Sequence, residues 1–129
     1  MALQIIKASL LYSTTKKEME ERFTKIEAHS DFCTYLALID NKVVGIIGFH
    51  QSLLYEENQP SIKIDVLVVD AEHRNQEIGR QLLLVTEQEA KVINASFIDL
   101  FSSKKREKAH RLYRKLGYED SRFGFYKNL

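Results

Sequence analysis

The stretch Val68-Val69-Asp70-Ala71-Glu72-His73-Arg74-Asn75-Gln76-Glu77-Ile78-Gly79-Arg80 changes its period in mid-run. Val68 and Val69 close an alternating apolar segment, and the next eight residues, 70–77, are almost all polar. From Ile78 onward, Leu82, Val85 and Ile93 recur on one helical face. A strand that ends in a polar turn and feeds a long helix is the reading this imposes. The first backbone N–H groups of such a helix have no internal partners, and with the helix dipole they can receive an anion such as a phosphate. Arg74 and Arg80 would add charge-assisted contacts, and Gly79 would let a ligand approach the backbone. Most turns of this kind satisfy their N–H groups with water or side chains, so the junction alone leaves both readings open.

Upstream, Ile62, Ile64, Val66 and Val68 alternate with Lys63, Asp65, Leu67 and Val69, as in one strand with two faces. Before it, Thr34–Ile39 and Val43–Leu54 flank the turn residues Asp40-Asn41-Lys42 and predict a hairpin. Ala2–Leu11 and Lys16–Ala28, the latter with Met19, Phe23 and Ile26 at helical spacing, read as two short amphipathic helices. Downstream, the long helix runs from about Gln76 to Asn94 and a strand covers Ser96–Phe101. Ala109, Leu112, Tyr113 and Leu116 form a second helical stripe that Gly117 ends in a left-handed conformation. Tyr118–Lys127 leaves room for a terminal hairpin. A strand, crossover helix and following strand lie parallel, whereas the preceding strands form a meander. The fold class expected is therefore α/β, with a mixed, mostly antiparallel central sheet flanked by helices.

The 129 residues contain no repeat or linker, so one domain is expected over the whole length. Nineteen basic residues oppose 18 acidic ones, and no global field draws the chain to nucleic acid or a membrane surface. No apolar run approaches the roughly 20 residues of a membrane span, and the N-terminus lacks a signal-peptide pattern. Cys33 is the single cysteine, which excludes an intrachain disulfide and points to a reduced, cytoplasmic setting. His29, His50, His73 and His110 show no metal-ligand spacing among themselves or with Cys33, so no metal is expected.

The segment Arg74-Asn75-Gln76-Glu77-Ile78-Gly79, following Val68-Val69-Asp70, resembles the coenzyme-A motif of the Gcn5-related N-acetyltransferase (GNAT) family, Arg/Gln-x-x-Gly-x-Gly/Ala. The resemblance extends to Asn41-Lys42-Val43-Val44-Gly45-Ile46-Ile47-Gly48 and to Ala109-His110-Arg111-Leu112-Tyr113-Arg114-Lys115-Leu116-Gly117-Tyr118, in the family's order. The closing Ser121-Arg122-Phe123-Gly124-Phe125-Tyr126-Lys127 is similar to the tail of a bacterial subgroup related to aminoglycoside acetyltransferases. The resemblance implies the GNAT fold and transfer of an acetyl group from acetyl-CoA, as co-substrate, to a primary amine of a small molecule or peptide. It implies that main chain at Leu67, Val68 and Val69 pairs with the pantetheine arm. Arg74, Asn75, Gln76, Glu77, Ile78, Gly79 and Arg80 would hold the pyrophosphate, with Ser103 as a further polar contact.

Two departures stand out. Glu77 replaces the first motif glycine, putting a carboxylate and a side chain where the pyrophosphate should approach. The first clear strand begins only at Thr34, so the family's usual opening strand looks absent, leaving a sheet edge for an N-terminal helix or, in a homodimer, a second subunit to cover.

Family members place a tyrosine near the coenzyme sulfur, and Tyr113 matches it as proton donor. A phenol of pKa about 10 is protonated at neutral pH and can supply a thiolate whose conjugate acid lies near about 8.5. On its own stripe, Tyr113 also reads as a core aromatic. The amine must lose a proton, and Asp65, on the central strand, is the carboxylate suited to take it directly or through water; an ion pair with a neighbouring lysine is the alternative. A weakened member of the fold that binds a metabolite or a protein partner is the competing functional reading, and Glu77 is its basis.

Overall fold

A computed structural model describes residues 3–8, 17–74 and 77–129. The chain forms two compact units, Met1–Asp99 and Leu100–Leu129.

β1 (Leu3–Lys7), α1 (Lys17–Glu27), β2 (Phe32–Ile39), β3 (Lys42–Ser52), β4 (Ser61–Val69) and α2 (Ile78–Val92) follow one another in the first unit, and β5 (Ile98–Leu100) begins at its end. The sheet order is β1-β2-β3-β4-β5. The β2–β3 hairpin closes with Ile39 opposite Lys42. Its two loop residues, Asp40 and Asn41, have φ of 51° and 63°, the pair of left-handed residues that a tight hairpin matched to strand twist demands.

β1 corrects two expectations. The N-terminal segment read as a helix is a strand, and the sheet does not lack its opening strand. Leu3 to Lys7 pair antiparallel with Ile39 to Tyr35 along β2. Five residues are too few for period to separate helix from strand, and the decision is made non-locally, by the hydrogen-bonding edge that β2 offers. The edge expected to need a helix or a second subunit is thus covered by the chain's own β1.

β5 runs parallel to β4. Ser96 N–H donates to the Pro60 carbonyl (2.8 Å), Ile62 N–H to the Phe97 carbonyl (3.0 Å), and Lys63 pairs with Asp99 (3.7 Å), so both segments advance together. The sheet is mixed and mostly antiparallel, as the strand–helix–strand order requires.

α2 covers one sheet face with the buried side chains of Ile78, Leu82, Leu83 and Thr86. Ala37, Ile47, Phe49, Ile62 and Ile64 are buried in the sheet. Burying each such Ile or Leu contributes about 1.5–3 kcal/mol. The helix approaches closely because position 45 has no side chain: a Cβ on Gly45 would lie 2.9 Å from Ile78 Cγ2 and 3.2 Å from Leu82 Cδ1. Further along, the Tyr35 hydroxyl donates to Glu89 Oε1 (2.9 Å), tying β2 to the second half of α2. The helix ends with Asn94 at φ 56°, where Ala95 N–H returns to the Ala90 carbonyl (2.9 Å).

The second unit contains α3 (Glu107–Lys115). Gly117 at φ 92° ends it as expected: Gly117 N–H bonds the Arg114 carbonyl (3.0 Å) and Tyr118 N–H bonds the Tyr113 carbonyl (2.9 Å). The hairpin expected over Tyr118–Lys127 does not form, and residues 118–129 carry no regular secondary structure. An isolated two-stranded hairpin is marginal in water, and Phe123, Phe125 and Tyr126 are exposed rather than gathered on a buried face. Within the tail, Gly124 lies against the Phe101 ring, which a Cβ would approach to 3.0 Å.

Candidate functional site

β4 is not one continuous alternation. Against β3 its register runs Ile62↔Gln51, Lys63↔His50, Ile64↔Phe49, then jumps to Val66↔Gly48 and Leu67↔Ile47. Asp65 is the extra residue of a β-bulge, and past it the strand's faces exchange. Ile62 and Ile64 are 1% and 6% exposed, whereas Val66 and Val68 are 39% and 50% exposed. Leu67 and Val69, opposite Ile47 and Gly45, take over the α2 side. This corrects the reading of Ile62, Ile64, Val66 and Val68 as one face. Asp99 is already abreast of Lys63, and β5 ends at Leu100, so Val66–Val69 run on beyond the end of β5.

The chain leaves β4 with Asp70 N–H bonded to the Val44 carbonyl (2.8 Å) and makes a 3-10 turn at Ala71–His73. The Asp70 carboxylate meets His73 Nδ1 at 2.8 Å, a hydrogen bond that holds its pKa below the usual carboxylate range. The turn leads through Arg74 to Glu77, the N-cap of α2; Asn75 and Gln76, two of the expected pyrophosphate residues, lie outside the described residues. Glu77 has φ 63° and ψ 14°, a left-handed conformation natural to glycine and costing a residue with a side chain about 1–2 kcal/mol. The backbone therefore keeps a glycine's shape at the position where the motif has glycine. The Glu77 side chain makes no capping bond to α2; it pairs with Arg80, Oε2 to Nη1 at 3.8 Å, with both groups largely in solvent. Ile78 is buried in the core, so only its main chain faces the task assigned to it. A strand end that outruns β5, a glycine-shaped turn and a helix start that the Glu77 side chain does not cap leave main-chain groups for a phosphate-bearing extended ligand.

Asp65 does not pair with lysine. Its Oδ2 lies 2.7 Å from His50 Nδ1, and Lys63 pairs instead with Asp99. His50 also stacks on Phe32, with ring centroids 4.7 Å apart and planes inclined by 23°. Sequence reasoning missed His50. It stands opposite Lys63 across the hairpin, but that pairing rests on a register that the bulge shifts and that counting residues cannot recover.

In the second unit, Tyr113 is the buried residue of α3, 9% exposed, and burial raises its pKa, with the Arg106 charge opposing. Its hydroxyl is thus held protonated at neutral pH, as a proton donor must be. Ser103 starts the approach to α3: its carbonyl accepts Arg106 N–H (3.0 Å) and its Oγ accepts Lys105 N–H (3.4 Å). Among the described residues, no three His, Cys, Asp or Glu side chains are grouped to hold a metal, and no helix is long and apolar enough to cross a membrane.

Residues 2–118 match the family model described as Acetyltransferase (GNAT) family. The chain is similar to an aminoalkylphosphonate N-acetyltransferase of Salmonella typhimurium strain LT2, 39% identical over 94 residues that cover 73% of this chain and 61% of the relative. Among solved structures it is similar to an aminoglycoside acetyltransferase from an uncultured soil metagenomic sample, in complex with trehalose, at a TM-score of 0.84 and 21% identity, covering 98% and 96% of the two chains. It is also similar to AAC(6')-Iy in complex with the bisubstrate analogue CoA-S-monomethyl-acetylneamine, at a TM-score of 0.82 and 13% identity over 100% and 99%. At those identities the two structures speak for the fold.

Proposed function

The chain belongs to the GNAT family of acetyltransferases, and on that premise we propose that it transfers an acetyl group from acetyl-CoA directly to a primary amine of a small molecule or peptide. The observation that carries the reading is the junction of β4 and α2. A bulged strand outruns β5 and passes through a glycine-shaped turn into a helix start that no side chain of Glu77 caps. Main chain at Leu67, Val68 and Val69 offers a pantetheine arm a strand edge, and Arg74, Gly79 and Arg80 with their neighbours receive the pyrophosphate. The complex of AAC(6')-Iy with a CoA bisubstrate analogue supports that placement by analogy of fold.

When bound, the thioester supplies an electrophilic carbonyl carbon, to which the amine nitrogen bonds as the carbon–sulfur bond breaks. An alkylammonium is mostly charged at neutral pH, with a pKa of about 10, so a proton must leave it first. Asp65 and the group it holds take that proton. Tyr113, kept protonated by burial, gives one to the departing sulfur. On this reading residues 1–129 are a single acetyltransferase domain that works in the cytoplasm, without a metal. The similarity to the Salmonella protein favours a small aminoalkyl acceptor that carries an acidic group.

The Glu77–Arg80 pair favours a second reading, a member of the fold whose transfer is attenuated and whose site serves binding of a metabolite or partner. Isothermal titration with acetyl-CoA, followed by a thiol-release assay with 2-aminoethylphosphonate and an aminoglycoside, separates the two. Binding with turnover supports transfer, binding without turnover supports the second reading, and no binding at millimolar acetyl-CoA sinks the transfer reading.

A further inference from the structure

The geometry points to His50 as the group that takes the amine's proton, with Asp65 as its positioning residue; this rests on the acetyltransferase reading above. An ionised carboxylate only accepts hydrogen bonds, so at 2.7 Å from Asp65 Oδ2 the imidazole carries its proton on Nδ1. That leaves the lone pair on Nε2, where no other described protein group bonds it. Histidine is also the side chain whose ordinary titration, at about 6.5, lies nearest neutrality, whereas a carboxylate at about 3.9 is a weaker base.

Three observations hold the ring where this is useful. The Phe32 ring stacks on it at 4.7 Å and fixes its plane. The bulge turns Asp65 out of the ladder, so that it reaches a residue two positions removed in register rather than the strand neighbour Lys63. Neither side chain is sealed off, with His50 24% and Asp65 38% exposed, so an amine can reach the dyad. The bulge also places Asp65 immediately before Val66–Val69, the length of β4 that outruns β5. One residue thus marks both the base's partner and the start of the strand edge offered to the thioester arm.

The step balances simply. R–NH3+ gives one proton to His50 Nε2, producing an imidazolium that Asp65 stabilises through Nδ1–H. The free amine bonds to the acetyl carbon, the carbon–sulfur bond breaks and the sulfur leaves with the proton of the donor. The second proton lost from the nitrogen returns the donor to its protonated form through water, and the imidazolium gives its proton to solvent, so one proton is released per turnover. The charged and titratable groups around the ring are Asp65 and Lys63 on β4, Asp99 paired to Lys63 on β5, and His29 and Asp31 in the approach to β2, with His29 6.1 Å from Phe32 ring to ring.

Two readouts test the proposal. Long-range 15N–1H NMR of imidazole-labelled protein is expected to show His50 as the Nδ1–H tautomer near neutral pH, lost in Asp65→Asn. The Nε2–H tautomer in the unsubstituted protein would overturn the dyad whether or not any amine is acetylated. In the thiol-release assay with 2-aminoethylphosphonate, His50→Gln is expected to lower kcat at least 100-fold with the acetyl-CoA dissociation constant unchanged, and to remove the acid limb of the kcat/KM profile. Asp65→Asn should lower kcat about 10-fold or more. Retention of full kcat and of the acid limb in His50→Gln would overturn the role of His50 while leaving acetyl transfer standing. Failure of the unsubstituted protein to bind acetyl-CoA would instead remove the parent reading, and the tautomer measurement would still decide the dyad.

Discussion

Replacing Glu77 by glycine should improve both stability and coenzyme affinity, through separate causes that can be measured apart. The residue sits at φ 63° and ψ 14°, where a side chain costs about 1–2 kcal/mol and glycine costs little. Glycine gives back about 0.5–1 kcal/mol through its greater freedom in the unfolded chain. The net gain is about 0.5–1 kcal/mol, which for a chain of this size raises Tm by about 2–5 °C. The affinity gain has another origin. Glu77 holds Arg80 at 3.8 Å in a largely exposed pair, an interaction of the kind worth about 0.2–1 kcal/mol. Its removal frees the guanidinium and takes away a charge that repels a pyrophosphate. Together these amount to about 1–2 kcal/mol at low salt, or about 5- to 30-fold in the acetyl-CoA dissociation constant. Glu77→Gln is the control: it should recover most of the affinity and none of the Tm, since a side chain still stands at positive φ. Titration calorimetry at low ionic strength and at about 1 M salt reads the charge contribution, which screening should largely abolish. An unchanged dissociation constant in Glu77→Gly at low salt, or a gain that survives high salt undiminished, would refute this account of the site.

Three further outcomes follow from the packing and the ion pairs. Gly45→Ala forces a methyl to 2.9 Å from Ile78 Cγ2 and should cost about 1–3 kcal/mol in urea denaturation; because the strain falls on the first residue of α2, acetyl-CoA binding should weaken as well. Gly117→Ala has open space for its methyl but a φ of 92°, so it should lower stability by about 1–2 kcal/mol through backbone strain alone, measured by thermal unfolding. Asp120 is held below the usual carboxylate range by its hydrogen bonds to Arg114, 2.7 Å to Nη2 and 3.2 Å to Nε. Its contribution is therefore complete above the ordinary carboxylate pKa of about 3.9 and is lost as pH falls through the lowered folded value. Asp120→Asn should lower Tm slightly at neutral pH, the pair being exposed, and converge with the unsubstituted protein as pH falls through the lowered folded pKa.

What could be read from the chain beforehand divides by the range of the interaction. The β2–β3 hairpin, the α2 stripe and the Gly117 helix stop were legible, because a turn, a 3.6-residue period and a left-handed cap are written within a few residues. The segment Leu3–Lys7 was not, because five residues carry no decisive period and the strand exists through pairing with β2. At the candidate site, the departure of Glu77 from the motif glycine was visible in the sequence, but not the left-handed backbone that makes it a departure of conformation as well as charge. Asp65 was picked out as a carboxylate on the central strand. Its partner was not, since His50 is brought to it by a register that includes an extra residue.

That extra residue has a consequence for how the protein can vary. In a pattern of period two, one inserted residue amounts to a reflection of everything after it. β4 therefore behaves as two half-strands in opposite phase, joined at Asp65. The first half contributes Ile62 and Ile64 to the buried layer, while Val66 and Val68 in the second turn outward from it. Substitutions at those two valines can reshape what approaches the open edge without disturbing the packing under α2, and deletion of residue 65 would undo that independence in one step. The bulge is a point of modularity, separating the part of the strand that is packed into the core from the part whose outward side chains are free to vary.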